Sequence, residues 1–223
     1  MSLWYAPNPV PYRPHPATWR QPLHLHLAPM WKALARVLPT LSGRVLDVGC
    51  GSKPYRGLFG PAVTEYVGLD REGPHATPDV LGDAHALPFE AARFDAVVSF
   101  QVLEHVERPV ECLGEIARVV APGGDVVFTV PGVWPDHEVP HDHWRFTRYG
   151  LQGAVRAAGL EQVELAPLGG LWSTLGQMAC LELDRSLAGR SLIPLVNLAA
   201  RALDPTAREK LVMNWLVHAR RPR

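Results

Sequence analysis

Two groups of residues in this 223-residue chain have the types and spacing to do chemistry. The first is Asp47-Val48-Gly49-Cys50-Gly51, a turn with so little side-chain bulk that main chain can approach a ligand closely. Asp70 closes Val67-Gly68-Leu69-Asp70 about 20 residues later, where a carboxylate can accept hydrogen bonds from both hydroxyls of a ribose. Asp83 then stands in Gly82-Asp83-Ala84. Taken singly, each acid reads as a turn or cap residue. Following the glycine turn in this order, they make a nucleoside pocket the better explanation. A dinucleotide fingerprint would require glycine at position 54, and the chain has Pro54.

The second group is the stretch Val133 to Thr147, which holds His137, Glu138, His141, Asp142, His143 and Arg145. A histidine there has a proton affinity suited to general-base work near neutral pH, so His137, His141 and His143, with Asp142, are the catalytic candidates. The same three histidines with Glu138 and Asp142 also read as a divalent metal site. A third reading has these side chains tie the loop to the core or to Arg145 and Arg148. His105, in Leu103-Glu104-His105-Val106, reads as a structural or cofactor-shell residue.

Positioning these groups requires alternating strands and helices, a pattern that calls for a mostly parallel sheet covered on both faces. Strands are expected at 44–48, 63–69, 79–81, 94–100, 125–130, 160–165 and 211–219. Helices are expected at 23–38, at 109–120 before the stop Pro122-Gly123-Gly124, at 147–158, and starting at Ser52-Lys53-Pro54 after the glycine turn. Residues 1–22, with six prolines among Trp4, Tyr5, Tyr12 and Trp19, can form neither helix nor central strand, so they read as an extended arm or a packed lid. One domain, 23–223, follows it. Within it 170–204 forms a helical insertion, broken or kinked at Pro194. Its leucine-rich stripe is expected to face the core; a lid, a homodimer face and a membrane-surface helix are the competing roles.

Composition narrows the partners. Acidic and basic residues balance at 22 each, without the basic excess that phosphate neutralisation demands, so a nucleic-acid partner is not expected. Cys50, Cys112 and Cys180 are few, odd in number and far apart, which points away from a disulfide framework and toward a reduced cytoplasm. No segment reads as a signal peptide or as a membrane span.

The segments VLDVGCGSKPY, YVGLD, GDAHALPF, FDAVVSFQVLEHV and RVVAPGGDVVFTVP, in this order over residues 45–131, resemble the class I S-adenosylmethionine-dependent methyltransferases, and within them the type 11 group. That resemblance implies a Rossmann-like α/β fold with a seven-stranded, mostly parallel sheet and helices on both faces, S-adenosylmethionine as cofactor, and a small-molecule acceptor such as a sugar or natural-product intermediate. It carries cofactor contacts onto Asp47, Gly49, Cys50 and Gly51 for the amino-acid end, Asp70 for the ribose, Asp83 and Ala84 for the adenine, and Gln101, with His105 beside it, for the methionine moiety. The family's third glycine is Lys53 here. A metal-dependent enzyme and a non-catalytic cofactor-binding scaffold are the competing functions.

Overall fold

The computed structural model describes residues 18–73, 75–204 and 211–223. The arm expected at residues 1–22 lies mostly outside these residues. Seven strands form one sheet in the order β3-β2-β1-β4-β5-β7-β6. They are β1 (Gly43–Val48), β2 (Val63–Asp70), β3 (Val80–Leu81), β4 (Phe94–Phe100), β5 (Val120–Pro131), β6 (Glu161–Leu168) and β7 (Asn214–Arg220). The first five run parallel, and β7 enters antiparallel between β5 and β6. The chain winds outward from β1 in both directions, so the carboxyl ends of β1, β2, β3 and β4 share one edge and the order reverses between β1 and β4. In an open α/β sheet that reversal opens the ligand crevice.

Central strands are buried on both faces, as the unbroken apolar runs Val45-Leu46 and Ala96-Val97-Val98 require. On one face, α2 (Pro109–Val119) and α3 (Arg148–Ala157) present Cys112, Leu113, Ile116, Leu151 and Val155 to Leu46, Val97 and Phe128. On the other, α1 (His24–Val37) lays Met30, Leu34 and Val37 against Val45, Val98 and Val127. The Thr147 hydroxyl accepts from Gly150 N and caps α3. No helix among the described residues is long and apolar enough to cross a membrane.

Three expectations are corrected. No α-helix starts at Ser52; a single 3-10 turn at Arg56–Leu58 follows instead. Gly51 and Lys53 both take positive φ, +50° and 57°, which cannot open a right-handed helix. Aromatic contacts of Tyr55 with Trp31 and Phe100, and of Phe59 with Tyr66, cover the sheet there. Second, Pro122-Gly123-Gly124 does not separate helix from strand. It lies inside β5, where the pairing with β4 slips between Phe94 and Ala96 and the strand absorbs the extra residues.

Third, the insertion is three helices, α4 (Leu171–Leu183), α5 (Leu187–Arg190) and α6 (Ile193–Leu203), and Pro194 sits in the first turn of α6, where a missing N–H costs nothing. Its leucines do not form the core face. Leu175, Leu187, Leu195 and Leu198 are exposed, while α4 buries Ser173, Thr174, Gly176, Gln177 and Cys180. Small residues let the helices close up: a Cβ on Gly176 would meet Ala200 Cβ at 2.8 Å and Leu25 Cδ1 at 2.9 Å. Buried amides then act as clamps. Gln177 Nε2 donates to Pro22 O and its Oε1 accepts from His26 N, while Asn197 Nδ2 donates to Trp19 O and Gln21 O. The insertion thereby fastens the start of the described chain to the domain.

At the amino edge of the sheet Asp95 accepts from Arg44 N at 2.8 Å and from its Nε at 3.0 Å, and the Arg44 guanidinium holds the carboxyl below the usual range. A depressed acid contributes stability above its unfolded value of about 3.9 and loses that contribution as pH falls through the folded value. The pair is partly exposed, so Asp95→Asn is expected to cost less than about 1 kcal/mol at pH 7. Denaturant melts of both proteins should differ equally at pH 7 and pH 5, and the difference should shrink as pH falls past the unfolded value of about 3.9 and vanish below the folded one. A difference that persists unchanged into acid would remove the charge from the account.

Candidate functional site

A cleft of about 500 Å³ opens at the carboxyl edge of β1, β2, β3 and β4. Its walls include Gly49 and Gly51 from the turn after β1, Asp70 and Arg71 from the end of β2, Asp83, Ala84 and His85 after β3, and Gln101, Val102 and His105 after β4. The far wall is the loop after β5, with Glu138, His141 and His143. A second cavity of similar volume lies between α1 and the insertion, lined by His24, Lys32, Arg201 and Asp204, and none of the motif residues reaches it.

The turn has the shape of a cradle. Gly49 has φ +73°, and a Cβ there would meet Val102 Cγ2 at 2.4 Å. Gly51 N donates to Asp70 Oδ2 at 2.7 Å, and Asp70 Oδ1 accepts from Arg71 N at 2.7 Å. One carboxylate therefore fixes the turn and still lines the cleft. Gln101, a non-glycine residue with φ 56°, is held by Gln101 N to Thr129 O at 2.9 Å and by its Nε2 to Thr129 Oγ1 at 3.2 Å. Strain of this kind persists only where the surroundings impose it, commonly at ligand sites. Asp83 accepts from His85 N and lies 2.8 Å from His85 Nδ1, which hold its carboxyl below the usual range.

Two of the expected cofactor contacts are placed elsewhere. Asp47 is buried behind the turn, where Tyr66 OH donates to it, and burial pushes its carboxyl up to about 7. Cys50 is buried too: its Sγ lies 2.7 Å from the position a Gly68 Cβ would take, and burial pushes the thiol up to about 12. Neither is among the cleft-lining residues. They shape the turn. Lys53 turns aside to pair with Asp79 at 2.6 Å.

The loop after β5 sorts its polar residues into separate tasks. His141 and His143 line the cleft. Asp142, 4% exposed, receives both Arg145 nitrogens at 2.7 Å and His137 N at 2.9 Å. Burial alone would raise its carboxyl, but Arg145 and His137 outweigh that and hold it well below the usual range. A carboxylate so committed is a latch, not a base. Arg145 also donates to Trp134 O, Pro135 O and Trp144 O, so the guanidinium closes the loop on itself. His143 N and Trp144 N donate to Glu104 O, and Trp144 Nε1 to Val106 O, which anchors the loop to the segment after β4.

His137 is partly buried and faces His105. Its ring stands 4.6 Å from that of His105, and burial, reinforced by His105, lowers its proton affinity. The three loop histidines are not brought together. Beside His105 and His137 lies Glu104, fully buried, whose carboxyl burial pushes up to about 8. The sequence reading passed over Glu104 as a site residue, and likewise His85; the adjacency of Glu104 to His105 was the available signal.

A family model described as a methyltransferase domain matches residues 46–128. Among curated relatives, the demethylmenaquinone methyltransferase of Renibacterium salmoninarum is 41% identical over 93 residues, covering 38% of this chain and 39% of its own. An uncharacterized protein from a Streptomyces fradiae transposon is 29% identical over 173 residues, covering 68% of this chain and 45% of its own. The chain thus spans less than half the length of these relatives. Among solved structures, the [4+2]-cyclase SpnF superposes with a TM-score of 0.61 at 21% identity, covering 88% of this chain and 81% of that one, a likeness of fold alone. Residues 46–128 are thus similar to the methyltransferase domain family, and the strand order and cleft are those of the Rossmann-like class I methyltransferase fold.

Proposed function

We propose that this chain transfers the methyl group of S-adenosylmethionine to an oxygen or nitrogen of a small-molecule acceptor. The observation that carries the reading is the cleft itself. Its glycine turn, Gly49 to Gly51 with the Cys50 side chain buried behind it, faces a carboxylate at the end of the next strand, Asp70, and the opposite wall carries His141 and His143. In this arrangement Asp70 accepts hydrogen bonds from the ribose hydroxyls, Asp83 and Ala84 border the adenine, and Gln101 meets the methionine moiety. The open space beside Gly51, where a Cβ would meet nothing within 4 Å, fits a ligand lying against the main chain.

When bound, the cofactor supplies an electrophilic methyl group. What remains for the protein is to hold the acceptor in line, exclude water and take a proton. The cleft volume suits a nucleoside and a small acceptor. His141 or His143 is the proposed base, since Asp142 is locked to Arg145 and His137 is partly buried against His105.

The test is incubation of the purified chain with methyl-labelled S-adenosylmethionine and extracts of its source cells. Label is expected in a low-mass fraction, with more than one turnover per protein. Stoichiometric binding without transfer would replace the enzyme reading with a cofactor-binding scaffold. Label in tRNA or protein would overturn the acceptor class and leave methyl transfer standing.

A further inference from the structure

We infer that Glu104, His105 and His137 form a binding site for a divalent first-row transition ion in the wall beside the cofactor cleft. One ligand atom from each lies within 4.8 Å of the others. His105 Nε2 is 3.9 Å from Glu104 Oε1 and 3.9 Å from Glu138 Oε2. Bonds of about 2.0–2.2 Å around a tetrahedral ion place its donors about 3.3–3.6 Å apart. The trio must draw in by up to roughly 1 Å, within reach of small side-chain rotations. Two imidazoles and a carboxylate suit zinc, iron, manganese or cobalt, and leave coordination positions open.

Glu104 gives an independent reason. Its side chain is 0% exposed, and neither Oε1 nor Oε2 has a hydrogen-bond partner. An unpaired buried carboxyl is costly enough that a structure retains one only with a compensating partner. A cation between the two rings supplies it. The neighbouring hydrogen bonds also leave the right nitrogens bare. His105 Nδ1 lies 2.7 Å from His141 O, and since a carbonyl only accepts, Nδ1 carries the proton and Nε2 offers its lone pair. His137 Nδ1 stands 3.2 Å from Asp142 Oδ2 and 3.4 Å from Arg145 Nη2; ion binding selects the tautomer in which Nδ1 donates to the carboxylate, the support typical of metal-ligating histidines, and Nε2 faces the ion. Glu138, held at φ 53° and largely exposed, is placed to add a fourth oxygen.

This site differs from the one the loop sequence suggests. His141 contributes its carbonyl and His143 its main-chain N–H, so neither ring is a ligand.

The experiment uses the full chain, stripped with chelator, and titrated calorimetrically with Co²⁺, Mn²⁺ and Zn²⁺ as the chloride salts without S-adenosylmethionine, with the visible spectrum of the Co²⁺ form recorded in parallel. One ion per chain is expected, with a visible cobalt band. Affinity should fall at least 100-fold in Glu104→Gln, a near-isosteric change, and in His137→Ala, and stay within threefold in His143→Ala. Circular dichroism and thermal melts confirm that each variant is folded. If Glu104→Gln does not fold, His105→Asn reports on the same ion. Absence of stoichiometric binding, undiminished binding in the folded ligand variants, or loss in His143→Ala would each overturn the assignment. Because ion binding is read without the methyl donor, its failure and a failure of methyl transfer are told apart.

Discussion

Asp70→Ala is expected to weaken S-adenosylmethionine binding by roughly 100-fold or more, and Gly49→Val to abolish it. The carboxylate of Asp70 does two things at once. It accepts from Gly51 N at 2.7 Å, which sets the path of the turn, and it lines the cleft where ribose hydroxyls would donate to it. Hydrogen bonds to a charged group are worth about 1.5–3 kcal/mol each, so losing two costs about 3 kcal/mol or more, and each 1.4 kcal/mol is tenfold. Asp70→Asn keeps the shape and one acceptor oxygen and should fall between the wild type and Asp70→Ala. At Gly49 the obstacle is geometric. A side chain must adopt φ +73° and occupy space already filled by Val102, so the turn moves or the cleft is blocked. Calorimetric titration, with melts to confirm folding, checks all three. Unchanged affinity in both Asp70→Ala and Gly49→Val would leave the proposed cofactor site without support.

Those two residues were legible because their roles follow from chain order. Glycines after one strand and an acid at the end of the next reach one sheet edge in any doubly wound sheet, so spacing carries the geometry. Asp47 and Cys50 sit in the same motif, yet Asp47 lies at the end of a strand buried on both faces and Cys50 packs behind the turn, and one-dimensional text does not display which way a turn residue points. The insertion misled for a related reason. Periodic leucines ordinarily mark the buried face, but Gly176 and Ala200 bring α4 and α6 so close that small and amide side chains fill the contact. The loop after β5 was the least legible. Its residues pair across separations set by backbone path, so its histidines, adjacent in sequence, diverge in space, while His105 and His137 meet from 32 positions apart.

The latch in that loop yields the second large effect. Asp142→Asn and Arg145→Lys are each expected to lower hydrogen-exchange protection of main-chain amides in 137–146 by roughly 30- to 100-fold, with sheet amides unaffected. Breaking a buried ion pair by altering one member costs about 3–5 kcal/mol, because the other charge is left without a partner. Arg145 retains some exposure, 25% against 4% for Asp142, which screens the pair and brings the cost just below that range, to about 2–3 kcal/mol. Lysine is no substitute. It carries the charge, but cannot deliver two parallel N–H groups to both carboxylate oxygens while also reaching Trp134 O and Pro135 O. Opening should stay local, since Phe146 N to Pro131 O and Trp215 Nε1 to Phe146 O pin the far end of the loop to the sheet independently of the latch. A double-mutant cycle on Asp142→Ala and Arg145→Ala should return a coupling above about 1.5 kcal/mol. If both conservative variants kept wild-type protection, the loop would owe its position to the Glu104 and Val106 carbonyls and to the Phe146 anchor instead. In that case His141 and His143 would be held at the cleft without the latch, and Asp142 would be free to take the role of base that its pairing with Arg145 now denies it.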